Sequence, residues 1–172
     1  ILSLLMCSNS IAQNKKSFLR DGNKLYTDSS YNESEIKYRK SLEKDQDYFN
    51  ASFNLADAIY KQGRYEESSG LFEALKDNAP TENDLAKVYH NLGNSLIKEQ
   101  KIDEAIDAYK NGLRISPDDK ETRHNLALSY RKKQEQENKE EQEDKEKEDN
   151  KDEKQEDNKD EKQEDNKDEK QE

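Results

Sequence analysis

His90 and His124 are the residues of this sequence whose side chains most readily bind metals or move protons near neutral pH. They lie 34 residues apart, which predicts equivalent positions on two helices of a repeating structure. Neighbouring helices pack about 8–10 Å apart, whereas zinc needs nitrogen ligands at about 2 Å, and no nearby Asp or Cys completes a ligand set. The sequence has no glycine-rich phosphate loop and no nucleophile elbow. We therefore expect no metal, no cofactor and no catalytic centre, and a protein that is not an enzyme.

The helices that would position these histidines come from a repeat of 34 residues, clearest over 86–119. A first helix carries a large residue, Leu-Gly and a second large residue. A second helix carries a small residue and an aromatic one, and a proline closes the unit: Tyr89, Leu92, Gly93, Leu96, Ala105, Tyr109 and Pro117. Gly93 has no Cβ, which predicts a close approach of the second helix. Ser116 and Pro117 are predicted to be the N-cap and first residue of the next helix.

Further copies of the pattern flank this one. The segment 49–85 is a second copy with a three-residue insertion, in which Thr81 and Asp84 predict a capping box that starts the next helix early. The segment 13–48 is a degenerate first copy, and 120–137 repeats only the first helix. The predicted fold is all-α, with three helix-turn-helix repeats and a C-terminal capping helix.

The C-terminal segment 138–172 is acidic and of low complexity. It contains no apolar residue, and from Asn150 it repeats the octapeptide NKDEKQED. The 20 acidic and 12 basic residues of 131–172 supply −8 of the net charge of −11. Such a composition predicts disorder. Neither part of the chain has a basic face, so we expect no nucleic-acid partner.

Residues 1–12 are predicted to be the remnant of a secretory signal peptide. Ile1–Met6 is apolar, and Ser10-Ile11-Ala12 before Gln13 is typical of a cleavage site. The alternative is a lipid anchor on Cys7, the only cysteine of the sequence, although Met6 is large for that motif. Either interpretation predicts an exported protein of the periplasm or the membrane-associated cell envelope.

Over about 15–136 the pattern resembles the tetratricopeptide repeat family. The resemblance implies a right-handed superhelix of antiparallel helix pairs, whose first helices line a concave groove that binds a partner peptide or helix. Carried over position by position, the implied groove residues are Asn23, Tyr26, Phe53, Asp57, Tyr60, Lys61, Lys87, His90, Asn94, Lys98, His124 and Arg131, with Leu19 and Leu128 beside them.

Some members of that family clamp a partner's terminal carboxylate with two Asn, two Lys and one Arg. Asn23, Asn54 and Lys87 match three of these five places. Leu19 and Asn91 occupy the other two and carry no positive charge, so the match is incomplete.

A narrower resemblance is to the tetratricopeptide proteins of the bacterial aerotolerance (Bat) operon, which are associated with membrane proteins carrying von Willebrand A domains. The expected function is a protein-interaction scaffold of the cell envelope, with a protein partner and no small-molecule substrate. The alternative is a structural or self-associating protein in which the charged tail is the active part.

Overall fold

The computed structural model describes residues 2–168, and the side chains of 14–143 and 145. The described chain is helical and contains no strand. A 3₁₀ turn at Lys76–Asn78 follows the fourth of its α-helices, which are α1 Leu2–Thr27, α2 Tyr31–Leu42, α3 Phe49–Lys61, α4 Tyr65–Leu75, α5 Glu82–Lys98, α6 Ile102–Ile115 and α7 Lys120–Asp168. This confirms the predicted all-α class.

Each helix packs against the next one along the chain from α1 to α6. The pairs α1–α2, α3–α4 and α5–α6 are the three predicted helix-turn-helix units, and α1, α3 and α5 also contact one another in turn. The first helices therefore form one layer and the second helices another. Side chains of the first helices outside the core can share a surface with those of neighbouring units.

A buried ring from each second helix packs over a small residue of the first helix. Tyr38 and Tyr109 are 1% and 2% exposed. A Cβ added at Gly22 would lie 2.5 Å from Cε1 of Tyr38, and one added at Gly93 would lie 2.5 Å from Cε1 of Tyr109. In the middle pair, Phe72 and Ala56 share the core at the same positions. The predicted close approach at Gly93 is confirmed.

The insertion before α5 lengthens that helix, as predicted. Thr81 is the N-cap, and its side chain accepts a hydrogen bond from the backbone N–H of Asp84 at 3.1 Å. As a result α5 has 17 residues, whereas α3 has 13. The predicted early start of the third unit is confirmed.

The predicted cap of α7 is wrong. Ser116 ends α6, because its N–H still bonds the carbonyl of Gly112 at 2.9 Å. Asp119 caps α7 instead: its Oδ1 accepts from the N–H groups of Glu121 (3.0 Å) and Thr122 (3.1 Å). A carboxylate at this place satisfies two of the free N–H groups that begin a helix, while Pro117 lies in the preceding turn.

The chain divides into two units, Ile1–Tyr130 and Arg131–Glu172, so that α7 crosses the division. The backbone of α7 continues to Asp168, beyond the predicted end of the capping helix at 137. Over 138–168 it has no apolar residue to bury, which fits the predicted disordered tail, and 169–172 lies outside the described residues. Local pairs such as Gln136 with Glu140 (3.0 Å) support a helix, although each contributes only about 0.2–0.5 kcal/mol.

At the other end of the chain, α1 includes the backbone of residues 2–12 of the predicted signal remnant 1–12, and Ile1 lies outside the described residues. None of the helices in the described part of the chain is apolar over a length sufficient to span a membrane.

Candidate functional site

Residues from α3, α5 and the start of α7 enclose a pocket of about 300 Å³ within the first unit. We call it the α3–α5–α7 pocket. Three of its residues, Phe53, Lys87 and His90, belong to the predicted groove, and the rest of its lining is Asn91, Asp119 and Glu121. The structure thus brings part of the predicted groove together and adds two carboxylates to it.

The helix α5 supplies the central wall of the pocket. Lys87, His90 and Asn91 are three and four residues apart, so they share one face of α5. The Lys87 side chain is 55% exposed, and its Nζ lies 3.4 Å from Oδ1 of Asp84. From α3, Phe53 packs edge-on against buried Phe72 with ring centroids 5.4 Å apart, which fixes the apolar wall.

His90 is held by a chain of hydrogen bonds to the N-cap of α7. The Thr122 hydroxyl donates to Oδ2 of Asp119 at 2.5 Å, and Nδ1 of His90 lies 2.6 Å from the same hydroxyl oxygen. Since that hydroxyl proton is already donated to Asp119, Nδ1 of His90 must be the donor in the second bond. Nε2 of His90 faces Oε1 of Glu121 at 3.7 Å. The imidazole is therefore fixed in orientation with Nε2 on the pocket side.

Asp119 remains a carboxylate at neutral pH despite its partial burial. Burial works to raise the pKa of this carboxyl, but the hydrogen bonds from the Thr122 side chain and from the backbone of Thr122 and Glu121 outweigh it. The pKa of Asp119 therefore lies below its usual range. The pocket has one exposed cation, Lys87, and two anions, Asp119 and Glu121.

Two of the predicted groove residues are engaged in the fold itself. Oδ1 of Asn23 accepts from the Tyr38 hydroxyl at 3.0 Å and from Nδ2 of Asn54 at 2.8 Å. The same arrangement recurs two units later: Oδ1 of Asn94 accepts from the Tyr109 hydroxyl at 2.7 Å and from Nδ2 of Asn125 at 2.9 Å. We call each set an Asn–Tyr–Asn triad. The triads connect successive first helices.

The middle unit lacks this triad. Asp57, Phe72 and Asn91 occupy the equivalent positions, and Phe72 has no hydroxyl to donate. Asp57 accepts from the Tyr26 hydroxyl at 2.7 Å instead, and burial together with this bond raises the pKa of Tyr26. Among the described side chains, none forms a hydrogen bond to the Asn91 amide. Its amide is therefore available in the α3–α5–α7 pocket.

The other predicted groove residues lie outside that pocket. Tyr60 packs edge-on against Tyr65 with centroids 5.3 Å apart, and Nζ of Lys61 lies 5.8 Å from the Tyr60 ring. Lys98 and His124 are not part of its lining. Leu19 packs against the core, and Leu128 is 41% exposed. Arg131 is the first residue of the second unit, so its place in the groove stays a prediction.

His90 and His124 do not form a cluster with other ligating side chains. Within the described residues, no group of three or more His, Cys, Asp or Glu side chains could hold a metal ion. Asp119 and Glu121 are the pocket residues that the sequence reasoning missed. An Asp directly before the apolar stripe of α7 is an N-cap signal that would have found the first of them.

Comparison with known proteins identifies the family to which this fold belongs. Two family models, both described as tetratricopeptide repeat, match residues 86–119 and 22–83, together more than half of the chain. No curated protein matches the chain in sequence.

Solved structures match at low sequence identity. The first TPR domain of human RPAP3 is 20% identical over 73% of this chain and 96% of its own, with a TM-score of 0.65. The first TPR of Spaghetti (RPAP3), bound to the HSP90 peptide SRMEEVD, is 20% identical over 69% of this chain and 92% of its own, with a TM-score of 0.64. MamA from Desulfovibrio magneticus RS-1 is 20% identical over 70% of this chain and 67% of its own, with a TM-score of 0.65. These likenesses confirm the superhelical fold of stacked helix pairs.

Proposed function

Because this chain belongs to the tetratricopeptide repeat family, we propose that it is a protein-interaction scaffold that holds a partner peptide in the α3–α5–α7 pocket. The Spaghetti domain, which has the same fold, is bound to a peptide of HSP90. The observation that carries the proposal is the unengaged Asn91 amide beside Lys87 and His90. Asn54 and Asn125, at the same position in other units, are both bonded within the fold.

The charges of the pocket favour an internal segment of the partner over a terminal carboxylate. Lys87 is the one cation of its lining, and Asp119 and Glu121 face the same space. Of the positions that match a carboxylate clamp, Asn23 and Asn54 bond each other at 2.8 Å. We therefore infer a ligand with one acidic group for Lys87, backbone amides for Asn91 and an apolar side chain against Phe53.

A site-specific photo-crosslink tests this function in intact cells. A benzophenone amino acid at Asn83, an exposed position of α5 one turn before Lys87, is expected to capture a protein partner through one defined peptide, identified by mass spectrometry. The matched control carries the crosslinker at Lys40, an exposed position of α2. Asn91→Ala should reduce capture from position 83, whereas Lys98→Ser, outside the pocket, should not. Equal capture by the Asn91→Ala and unsubstituted chains would move the activity to the tail or to self-association.

We further propose that the scaffold acts in the bacterial cell envelope, beside membrane proteins with von Willebrand A domains, as in the aerotolerance group. The apolar Ile1–Met6 and the small residues Ser10 and Ala12 support export. Cleavage after Ala12 would leave the contacts of Lys15 intact, namely its ion pair with Asp45 and its carbonyl bonded by Ser41. N-terminal sequencing of the protein from periplasmic and membrane fractions should find Gln13 as the first residue. A start before Cys7 with no processing would contradict export by cleavage.

A further inference from the structure

A second cleft, of about 400 Å³, lies between α4 and α6, and α5 residues contribute to its lining. We call it the α4–α6 cleft. It shares no residue with the α3–α5–α7 pocket. Half-buried Tyr89 and the buried Leu92, Leu96 and Ala108 form its floor, and its charged residues are Glu73, Lys76, Lys101, Glu104 and Asp107. A cleft that combines an apolar floor with charged walls is suited to binding, and the proposed scaffold function does not use it.

The equivalent place between α2 and α4 is closed by a connected polar network. Arg64 reaches Glu35 at 2.7 Å, and Arg39 reaches Glu67 at 3.0 Å. Gln62 Nε2 donates to Oε2 of Glu35 at 2.9 Å. Two arginines and two glutamates balance each other there. Burial works to raise the pKa of Glu35, but the hydrogen bonds from Gln62, Arg39 and Arg64 outweigh it and hold this pKa below its usual range.

The five positions of this network carry different residues at the α4–α6 cleft. The residues that stand one unit later in the place of Glu35, Arg39, Gln62, Arg64 and Glu67 are, in the same order, Ser69, Glu73, Glu99, Lys101 and Glu104. Three carboxylates and one lysine thus occupy these positions, where the first network had equal numbers; Lys76, which also lines the cleft, pairs with Glu73 and leaves Glu104 as the unbalanced charge. Lys101 Nζ bonds Oε2 of Glu99 at 2.8 Å. No ion pair to Glu104 within salt-bridge distance is found in the part of the chain that is described.

Glu99 is a buried carboxylate with half of its bonding capacity unused. Its side chain is 8% exposed, and Oε1 is buried without a hydrogen-bond partner among the described residues. Gln62, at the position equivalent to Glu99, donates a hydrogen bond to Glu35. One unit later Ser69 stands in the place of Glu35, so Glu99 lacks the corresponding bond. A buried charged oxygen without a donor is unfavourable. The Lys101 ammonium, which lines the cleft, joins this carboxylate to the cleft wall.

We propose that the α4–α6 cleft binds an arginine side chain presented by an apolar segment of a partner protein. A guanidinium offers five N–H donors to carboxylates and stacks on aromatic rings. Here it meets the carboxylate of Glu104 and that of Asp107, whose ion pair with Lys110 is long at 3.7 Å, while Glu99 neutralises Lys101, and the apolar neighbours of the arginine cover the half-buried Tyr89. This is a second binding surface, and it does not depend on the α3–α5–α7 pocket.

The test uses the full chain, ¹⁵N-labelled, and the peptide Ac-Gly-Leu-Arg-Leu-Gly-NH₂ at low salt. Its control peptide carries citrulline, a neutral isostere, in place of arginine. The arginine peptide should shift the amide signals of Gly70, Glu99 and Glu104, and its affinity should exceed that of the citrulline peptide about tenfold, as expected for a charge-assisted hydrogen bond.

Gly70 offers a matched pair of variants, because it lines the cleft and a Cβ built on it meets nothing within 4 Å. Gly70→Leu fills the cleft and should abolish the shifts, whereas Gly70→Ala should bind as the unsubstituted chain does. Glu104→Gln, which leaves the cleft open, should weaken the arginine peptide about tenfold. Binding that survives Gly70→Leu, equal affinity for both peptides, or shifts confined to Lys87 and Asn91 would each overturn the proposal.

Discussion

Gly93→Ala is the substitution whose effect the structure determines most sharply. A Cβ at this position would lie 2.5, 2.7 and 2.8 Å from Cε1, Cδ1 and Cζ of Tyr109. These separations are far inside van der Waals contact, so the ring or the backbone of α5 must move. Tyr109 is 2% exposed, and its hydroxyl bonds Oδ1 of Asn94 at 2.7 Å. The ring therefore has no free space and loses a hydrogen bond if it swings.

The magnitude follows from three terms. Alanine favours a helix over glycine by about 1 kcal/mol. Overpacking a tight core typically costs about 1–3 kcal/mol, and loss of the Tyr109 hydrogen bond costs about 1 kcal/mol more. We expect the free energy of unfolding to fall by about 1–3 kcal/mol in total.

Urea denaturation of the full chain, followed by far-UV circular dichroism, measures this loss. Gly70→Ala is the matched control, because it makes the same change within a helix and its Cβ meets nothing within 4 Å. It should raise the free energy of unfolding by up to about 1 kcal/mol. The difference between the two variants isolates the contact with Tyr109. If Gly93→Ala is as stable as Gly70→Ala, the close packing of α5 and α6 is not as described.

Two further outcomes test the ends of α7. Asp119→Ala should lower the free energy of unfolding at pH 7 by about 1 kcal/mol through loss of the N-cap. Because the pKa of Asp119 is lowered in the fold, its contribution is complete above the unfolded pKa of about 3.9 and is lost as the pH falls through the folded pKa. The deficit of the variant in urea midpoints should therefore shrink at pH 3, and an equal deficit at both pH values would count against the carboxylate cap. Deleting 138–172 should leave the urea midpoint of the first unit unchanged, since this segment has no apolar residue to bury, and a lowered midpoint would show that the segment stabilises the fold.

Features set by local spacing were predictable from the sequence. The packing of the Tyr109 ring over Gly93 and the early start of α5 at Thr81 each depend on residues less than one repeat apart. The types of those residues allow few alternative arrangements. The N-cap of α7 was missed because two candidates, Ser116 and Asp119, lie three residues apart, and only the hydrogen bonds distinguish them.

The composition of the candidate binding surface was predictable only in part. Position in the repeat put Phe53, Lys87 and His90 in one predicted groove, and these three line one pocket, while their role in binding stays a prediction. It could not show that Asn23 and Asn94 would be engaged in triads, because that engagement depends on a tyrosine in one helix and an asparagine in the next unit. The charged tail posed a different difficulty, since pairs of Glu and Lys at helical spacing are compatible with both helix and coil.

The departure of the middle unit from the triad leads to a test of the α3–α5–α7 pocket that does not remove any pocket residue. Phe72→Tyr with Asp57→Asn would supply the hydroxyl and the amide that the other units have, and the amide oxygen introduced at position 57 could still accept from Tyr26. By analogy with Asn54 and Asn125, Asn91 should then bond the new amide and leave the pocket. The double variant should remain folded but lose most of the crosslinking from position 83, which leaves Lys87 in place. Undiminished crosslinking in a folded variant, with the amide signals of Asn91 shifted, would mean that the free Asn91 amide does not contribute to peptide binding.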